Sequence, residues 1–410
     1  LLFGDRSYRY YDSPARVLPR SEKYVLNKKH EVRQYGALVH DEEKLAKEGF
    51  DKNGTNWKKT DRGEPVRTTL AGKLLTLAVN KFSSLDPYGM GIEMEAGKPG
   101  WNDAMNGLPG LFGSGMAETF ELKRMLIFLR DRILLTDQVE LPIELAEFLD
   151  EVYDVLKTSR KEHWTDFAYW DTVSTIRENF REKVRFRVRD EVRKLSTLKL
   201  KKILDAFLVK LEEGITKACG YGDGIVPTYF TYRATQFEEV VSEDGQRVFS
   251  EYGLPKVIVK AFEVVPLPAF LEGPAKMLAT LEDQKQAEEL CKNVRGSELY
   301  DKKLGMYKTS VPIEHISMEN GRIHVFTPGW LERESIFLHM EYKYLLSMLR
   351  AGLYEQFYKE MKSCMVAFRD PKEYGRSILE NSSFLASSEN PDETVHGRGY
   401  VARLSGSTTE

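Results

Sequence analysis

Apolar positions along this chain recur mostly at helical spacing. Leu70, Leu74, Leu75, Ala78 and Phe82 form a stripe of about 3.6-residue period, with Thr68 or Thr69 placed to cap its start. A second stripe runs through Leu122, Met125, Leu126, Leu129 and Ile133; Ser114 is its candidate cap, and Glu118 sits near its positive end. Residues 142–218 read as almost wholly helical, and Leu200, Ile203, Leu204, Phe207, Leu208, Leu211 and Ile215 define one amphipathic face. Glycines at 220, 222 and 224 break that pattern. Residues 225–270 read as irregular or strand-like, with Asp244-Gly245 as a hairpin turn, and GIEMEA, residues 91–96, reads as a short strand or an extended approach to the glycine-rich loop that follows. A last helical block is expected from about Glu332 to Phe368, apolar around most of its circumference and so buried on more than one side. The pattern predicts a mainly α fold with small β or irregular insertions, in which glycine-rich loops build a site at one end of packed helices.

Composition narrows the function classes. The 410 residues are 41% hydrophobic, enough for a large core, and 60 basic against 63 acidic residues leave a net charge of −3. So balanced a charge gives no ground for nucleic-acid or acidic-membrane binding. The basic cluster from Arg181 to Lys194 is interspersed with Glu182, Asp190 and Glu191, the pattern of a solvated face. No apolar run reaches the roughly 18 residues of a membrane span. Cys219, Cys291 and Cys364 are widely separated and in no metal-binding spacing, so neither a disulfide framework nor a zinc site is expected, and a reducing cytoplasm suits them. The chain opens without Met and stops at Gly-Ser-Thr-Thr-Glu, which reads as the entrance to a helix, so a fragment of a longer chain is expected.

The candidate chemistry lies in GKPGWNDAMNGLPGLFGSGMAET, residues 97–119, where six glycines and two prolines surround Trp101-Asn102-Asp103. An indole offers a flat apolar face to a sugar ring, an amide reads hydroxyls, and a carboxylic acid can protonate a glycosidic oxygen. The same triplet also suits a plain turn, with the Asp satisfying backbone N–H groups and the Trp filling a gap.

GWNDAMNG resembles the acid-bearing loop of the cellobiose phosphorylase family, glycoside hydrolase family 94, which commonly carries Trp-Asn-Asp-Gly-Met there. MENGRIHVFTPGW resembles the family's Glu-Asn-Gly-Gly motif and ARLSGST its C-terminal phosphate loop, in the same order along some three hundred residues. The likeness is greater to the large 1,2-β-oligoglucan and β-1,3-glucan phosphorylases, through FTPGWLERESIFLHMEYKY, YGRSILENSSF and VARLSGSTTE. The sequence departs from the pattern at Ala104, at Arg322 in place of the second Gly, and at Phe326 where a phosphate-binding His is expected.

The resemblance implies an inverting phosphorylase on an (α/α)6 barrel spanning residues 1–410 and incomplete at both ends, with the 142–218 helices inside it. It places Asp103 as the general acid, Trp101 and Asn102 in the sugar-binding wall, Glu319 and Asn320 on substrate hydroxyls, and Ser405 and Gly406 on phosphate. Arg403, His324 and His339 are the further phosphate candidates. The implied reaction releases α-D-glucose 1-phosphate from β-linked gluco-oligosaccharides. It uses inorganic phosphate as co-substrate, with no metal and no organic cofactor, in a cytoplasmic protein and possible homodimer that needs no nucleic acid or membrane. Phosphate, already an anionic nucleophile, dispenses with the second carboxylate that an inverting hydrolase uses to activate water. The acid itself is expected to be buried beside Trp101 so that it stays protonated. A hydrolase or transglycosylase on the same barrel and a noncatalytic glycan-binding protein are the alternatives.

Several residues keep two readings. The Ser405 loop is an anion cradle at a helix start or an ordinary N-cap. Glu319-Asn320-Gly321 is a substrate contact or a structural turn, Arg322 and Arg403 are phosphate ligands or ion-pair partners, and Trp330 is a sugar platform or a packed aromatic. Glu93 and Glu95 line the site or are strand-face charges.

Overall fold

The computed structural model of the chain describes residues 2–50 and 56–401. Among them are twelve α-helices: α1 (Arg20–Lys23), α2 (Glu42–Glu48), α3 (Leu70–Phe82), α4 (Met116–Ile133), α5 (Ile143–Lys161), α6 (Asp166–Lys183), α7 (Thr197–Cys219), α8 (Glu272–Leu278), α9 (Gln284–Gly296), α10 (Leu338–Arg350), α11 (Tyr354–Cys364) and α12 (Pro371–Tyr374). The strands are short apart from Tyr229–Glu239 and Val257–Pro266, so the mainly α expectation holds. No helix among the described residues is long and apolar enough to cross a membrane. The described chain forms two compact units, one holding residues up to 97 with 121–215 and 233–263, the other 98–120, 216–232 and 264 onward.

The first unit is built on the predicted stripes. Thr69 caps α3 by accepting from the Gly72 N–H at 3.1 Å, which turns Leu75, Ala78, Val79 and Phe82 inward. Phe82 stacks on Phe207 of α7 with ring centroids 3.7 Å apart, joining two of the stripes in one core. Residues 142–218 are not continuously helical. Between α6 and α7 the chain extends, and Val192–Ser196 pairs antiparallel with Gln138–Pro142. In the latter strand Val139 and Leu141 point inward while their neighbours stay wetter, a period-2 pattern too short to stand out between long helices. The basic cluster is spent on ion pairs: Arg185 with Asp41, Arg189 with Glu144 and Glu147, and Arg193 with Asp150.

Glu93 and Glu95 are interior partners rather than strand-face charges. Arg177 bonds Glu93 at 2.9 Å, while Lys23 and Arg181 bond Glu95 at 3.0 and 2.8 Å. Burial would push Glu95 up, but Arg177, Lys23 and Arg181 outweigh it and hold the carboxyl well below its ordinary range.

The second unit packs α8, α9, α10 and α11 around Leu278, Cys291, Tyr344, Leu345 and Met348. The expected helical block from Glu332 to Phe368 starts late and is broken in the middle. Residues 330–333 form a tight turn, Ile336–Phe337 is a strand paired with Phe384–Leu385, and Gly352 at φ +80° separates α10 from α11. The apolar girth of this segment has a simple origin, since α10 lies against both α8 and α11. Ahead of α4, Ser114 pairs with Phe230 in a two-residue strand, and the Met116 N–H at the head of the helix donates to the Thr228 carbonyl.

Candidate functional site

The glycine-rich loop folds as two successive 3-10 turns in the second unit, Asp103–Met105 and Leu108–Leu111. Asn102 starts the first by accepting from the Ala104 N–H at 3.2 Å, so the amide turns inward and is fully buried. Asp103, one residue later, faces solvent. The expectation of a buried acid beside the indole is therefore overturned, because the cap geometry sends Asn102 into the interior and its neighbour out.

The two distant motifs meet. The Gly107 N–H donates to the Asn320 carbonyl at 3.1 Å, and the Arg322 N–H, 216 residues away in sequence, donates to Asn106 Oδ1 at 3.0 Å. Only glycine permits this contact. A Cβ at Gly107 would lie 1.7 Å from the Glu319 carbonyl oxygen, and Gly321 adopts φ +135° against the Ala104 carbonyl. Ser317 begins the second turn, and the Asn320 amide donates to its carbonyl at 2.9 Å. The Asn320 Oδ1 and Asn102 Nδ2 atoms are buried without a hydrogen-bond partner among the described residues. His324 turns back on its own loop, its Nε2 meeting the Ser317 carbonyl at 3.0 Å, and His339 stacks on Phe337. Arg403, Ser405 and Gly406 lie outside the described residues.

Trp101 heads a column of aromatic rings. Its indole, 38% exposed, stacks on Phe337 with centroids 5.3 Å apart; Phe337 stacks on Phe384, Phe384 on Tyr400, and Tyr400 on Trp330 at 3.7 Å. Trp330 is thus packed on one face, as its structural reading requires, and still 36% exposed.

Beneath Trp101 lies a carboxyl pair that the sequence pattern does not single out. The Tyr229 hydroxyl donates to Glu272 Oε2 at 3.1 Å, and the Trp101 side chain lies beside the same carboxyl. Burial first, then the charge of Glu118, pushes the Glu272 carboxyl up to about 7 against the neighbouring Trp101, the Tyr229 hydrogen bond and Lys276. Glu118 lies under Gly100, its Oε1 3.1 Å from where a Cβ would stand, and its Oε2 is buried without a partner among the described residues. Burial, with Glu272 and Glu118 adding to it, raises the Tyr229 hydroxyl well above its ordinary value and keeps it a donor. The available signal was a lone Glu in the apolar run Phe270-Leu271-Glu272-Gly273-Pro274.

A further acid feels the charge of Asp103. Glu332 is pushed up by burial, with Arg322 opposing and the Asp103 charge adding. It sits in the tight turn between Leu331 and Glu334, both at positive φ (52° and 56°), a strained backbone held by the Tyr400 hydroxyl accepting from the Leu331 N–H at 2.6 Å. Among the described residues no group of three or more His, Cys, Asp and Glu side chains is arranged to hold a metal ion.

No protein-family model matches the chain, and no curated protein does. Two solved structures from Thermus thermophilus resemble it weakly, each at 10% identity. An uncharacterized conserved protein is covered over 89% of its length by 82% of this chain, with a TM-score of 0.29. A GH63 mannosylglycerate hydrolase in complex with glucose is covered over 88% of its length by 80% of this chain, with a TM-score of 0.28. Likenesses this weak carry no functional weight, so the reading rests on the geometry of the site.

Proposed function

We propose that the protein is a carbohydrate-active enzyme that performs inverting phosphorolysis of β-linked gluco-oligosaccharides, releasing α-D-glucose 1-phosphate. One observation carries the reading: the Trp101-Asn102-Asp103 turn is docked through Gly107 and Gly321 onto the Glu319-Asn320 turn, leaving a part-exposed indole next to a solvent-facing carboxyl. Trp101 supports a glucosyl ring on its free surface, and the column behind it holds the indole rigid. Asp103, in its acid form, donates a proton to the oxygen linking two glucosyl units. Phosphate, held by Arg403, Ser405 and Gly406, attacks the anomeric carbon from the opposite side, and the carbon–oxygen bond to the leaving sugar breaks. Glu319 and Asn320 hold substrate hydroxyls, and His324 or His339 assists with phosphate. No metal or organic cofactor enters the scheme. The (α/α)6 barrel, the homodimer and the cytoplasmic setting belong to the same proposal.

The Asp103–Glu332 neighbourhood favours one competing reading, hydrolysis, in which Glu332 acts as the second carboxylate. Incubation with β-1,2- and β-1,3-linked gluco-oligosaccharides separates the two. Phosphate-dependent release of α-D-glucose 1-phosphate, reduced by at least about 100-fold in Asp103→Asn, is the expected result. Release of reducing sugar without phosphate, lost in Glu332→Gln, would establish the hydrolase instead. Glycan binding without turnover, retained in Asp103→Asn, would make the protein a binding module.

A further inference from the structure

The Glu118 and Glu272 carboxyls have no task in the proposed phosphorolysis, yet the backbone that carries them is tied down. Thr228 is the anchor. Its Oγ1 donates to the Phe270 carbonyl at 2.9 Å and accepts from the Gly273 N–H at 2.9 Å, which fixes the chain on both sides of Glu272. Its carbonyl accepts from the Met116 N–H at 2.9 Å, two residues before Glu118. The Leu271 N–H adds a bond to the Thr309 carbonyl at 3.0 Å, and the Tyr229 ring meets Phe270 edge-on.

The segment that leads into the Trp101 turn has no such ties. Among the described residues, the backbone of residues 98–101 makes one hydrogen bond, from the Asp103 N–H to the Trp101 carbonyl at 3.0 Å, and none to another segment. Gly100 is exposed at φ +83°, with Glu118 Oε1 3.1 Å from the place of its missing Cβ. Trp101 keeps its place by its side chain alone, stacked on Phe337 and lying beside Glu272. A stretch with so few backbone bonds yields first when its surroundings push on it.

The push comes from the two acids. Glu272 is 6% exposed, and Glu118 Oε2 is buried with no partner among the described residues. Two carboxylates enclosed together repel far more strongly than in water, and one proton on the pair removes the repulsion. Burial and the Glu118 charge keep that proton on Glu272 until the pH reaches about 7. The other groups facing Glu272 are the Tyr229 hydroxyl, which stays a neutral donor, and Lys276 of α8, which opposes the shift. His339, stacked on Phe337, is a further titratable group near the indole.

We propose that Glu272 is a positioning residue for the Trp101 platform. While it carries a proton, Glu118 and Glu272 sit together and the indole stays on Phe337; when the proton leaves, residues 98–101 move to relieve the repulsion and the platform is lost. That the platform supports a sugar rests on the phosphorolysis reading, whereas the movement of Trp101 does not.

Labelling the whole chain with 5-fluorotryptophan reports the movement, the Trp101 fluorine signal being the one absent from Trp101→Phe. As the pH rises, that signal should shift with a midpoint of about 7. Glu272→Gln should hold it at its acid position throughout. Glu118→Gln removes the opposing charge and should lower the midpoint by at least about half a pH unit, which a merely structural Glu272 would not produce. This second variant decides the matter if Glu272→Gln fails to fold. A Trp101 signal indifferent to pH would overturn the proposal, as would a midpoint that survives Glu272→Gln and disappears in His339→Asn. In the presence of phosphate, KM for β-1,2- and β-1,3-linked gluco-oligosaccharides should rise at least about fivefold on the alkaline side in the parent and not in Glu272→Gln. Should the Trp101 signal titrate as described while none of these sugars is bound or turned over, the phosphorolysis reading fails and the positioning role stands. Turnover with a stationary Trp101 signal would mean the reverse.

Discussion

Two carboxyls a short way apart in the second unit have opposite settings. Asp103 sits in water because its neighbour Asn102 takes the inward cap position, whereas Glu272 is enclosed beside Trp101 and accepts from the Tyr229 hydroxyl. A folded-state value of about 7, against 4.5 when free, means that folded Glu272 keeps a proton the unfolded chain has lost. Its contribution to stability is therefore complete below about pH 4.5 and disappears as pH climbs through 7, an effect on the order of 3 kcal/mol. Glu272→Gln, which mimics the protonated form, is expected to be more stable than the parent at pH 8 and nearly equal to it at pH 5, as read from urea unfolding. A parent that is the more stable of the two at pH 8 would show that the carboxyl is not enclosed as described. Glu118, whose charge feeds that shift, was legible as a helix-start acid, but its place beneath Gly100 depends on backbone contact that no local pattern reveals.

At the scale of elements, the site depends on two glycines more than on any polar contact. Replacing Gly107 with Ala puts a methyl group onto the Glu319 carbonyl, which forces the two turns apart. We expect a loss of at least about 2 kcal/mol in stability, together with loss of the proposed glycan binding, because overpacking in a rigid contact is relieved only by backbone movement. Retention of both would mean that the turns are not mutually docked. The α3 cap offers a contrasting case: Thr69→Ala should cost about 1 kcal/mol and leave the proposed sugar chemistry untouched, since it removes one hydrogen bond at a helix start in the first unit. This cap, the α3 and α7 stripes and the turn around Gly245 were all legible because each is written in adjacent residues. The strand pair at 138–142 and 192–196 was not, since neither half means anything without its partner.

For the molecule as a whole, buried and paired carboxyls set a window of stability in pH. Glu341, buried in the first turn of α10, is pushed up to about 8 by burial and acts with Glu272, so stability falls between about pH 5 and 8 on their account. Asp41 works in the other direction. Hydrogen bonds from Arg185 hold it at about 2 against 3.8 when free, so the stability it supplies is present above pH 3.8 and lost as the pH drops toward 2. Thermal melts across pH should accordingly peak near pH 5, and a combined Glu272→Gln, Glu341→Gln variant should flatten the alkaline side while leaving the acid side alone. An unchanged alkaline limb would mean that neither carboxyl keeps its proton on folding.

The sequence by itself determined the helical class, the main apolar stripes, the balanced charge and the two loop motifs, because periodicity, composition and turn chemistry are properties of neighbouring residues. Tertiary structure alone decided which way Asp103 faces, that the two motifs interlock through bare glycine backbone, and that Glu118 and Glu272 are brought together near Trp101. Each of those outcomes turns on distance and solvent exclusion between segments remote along the chain, and a linear pattern carries neither.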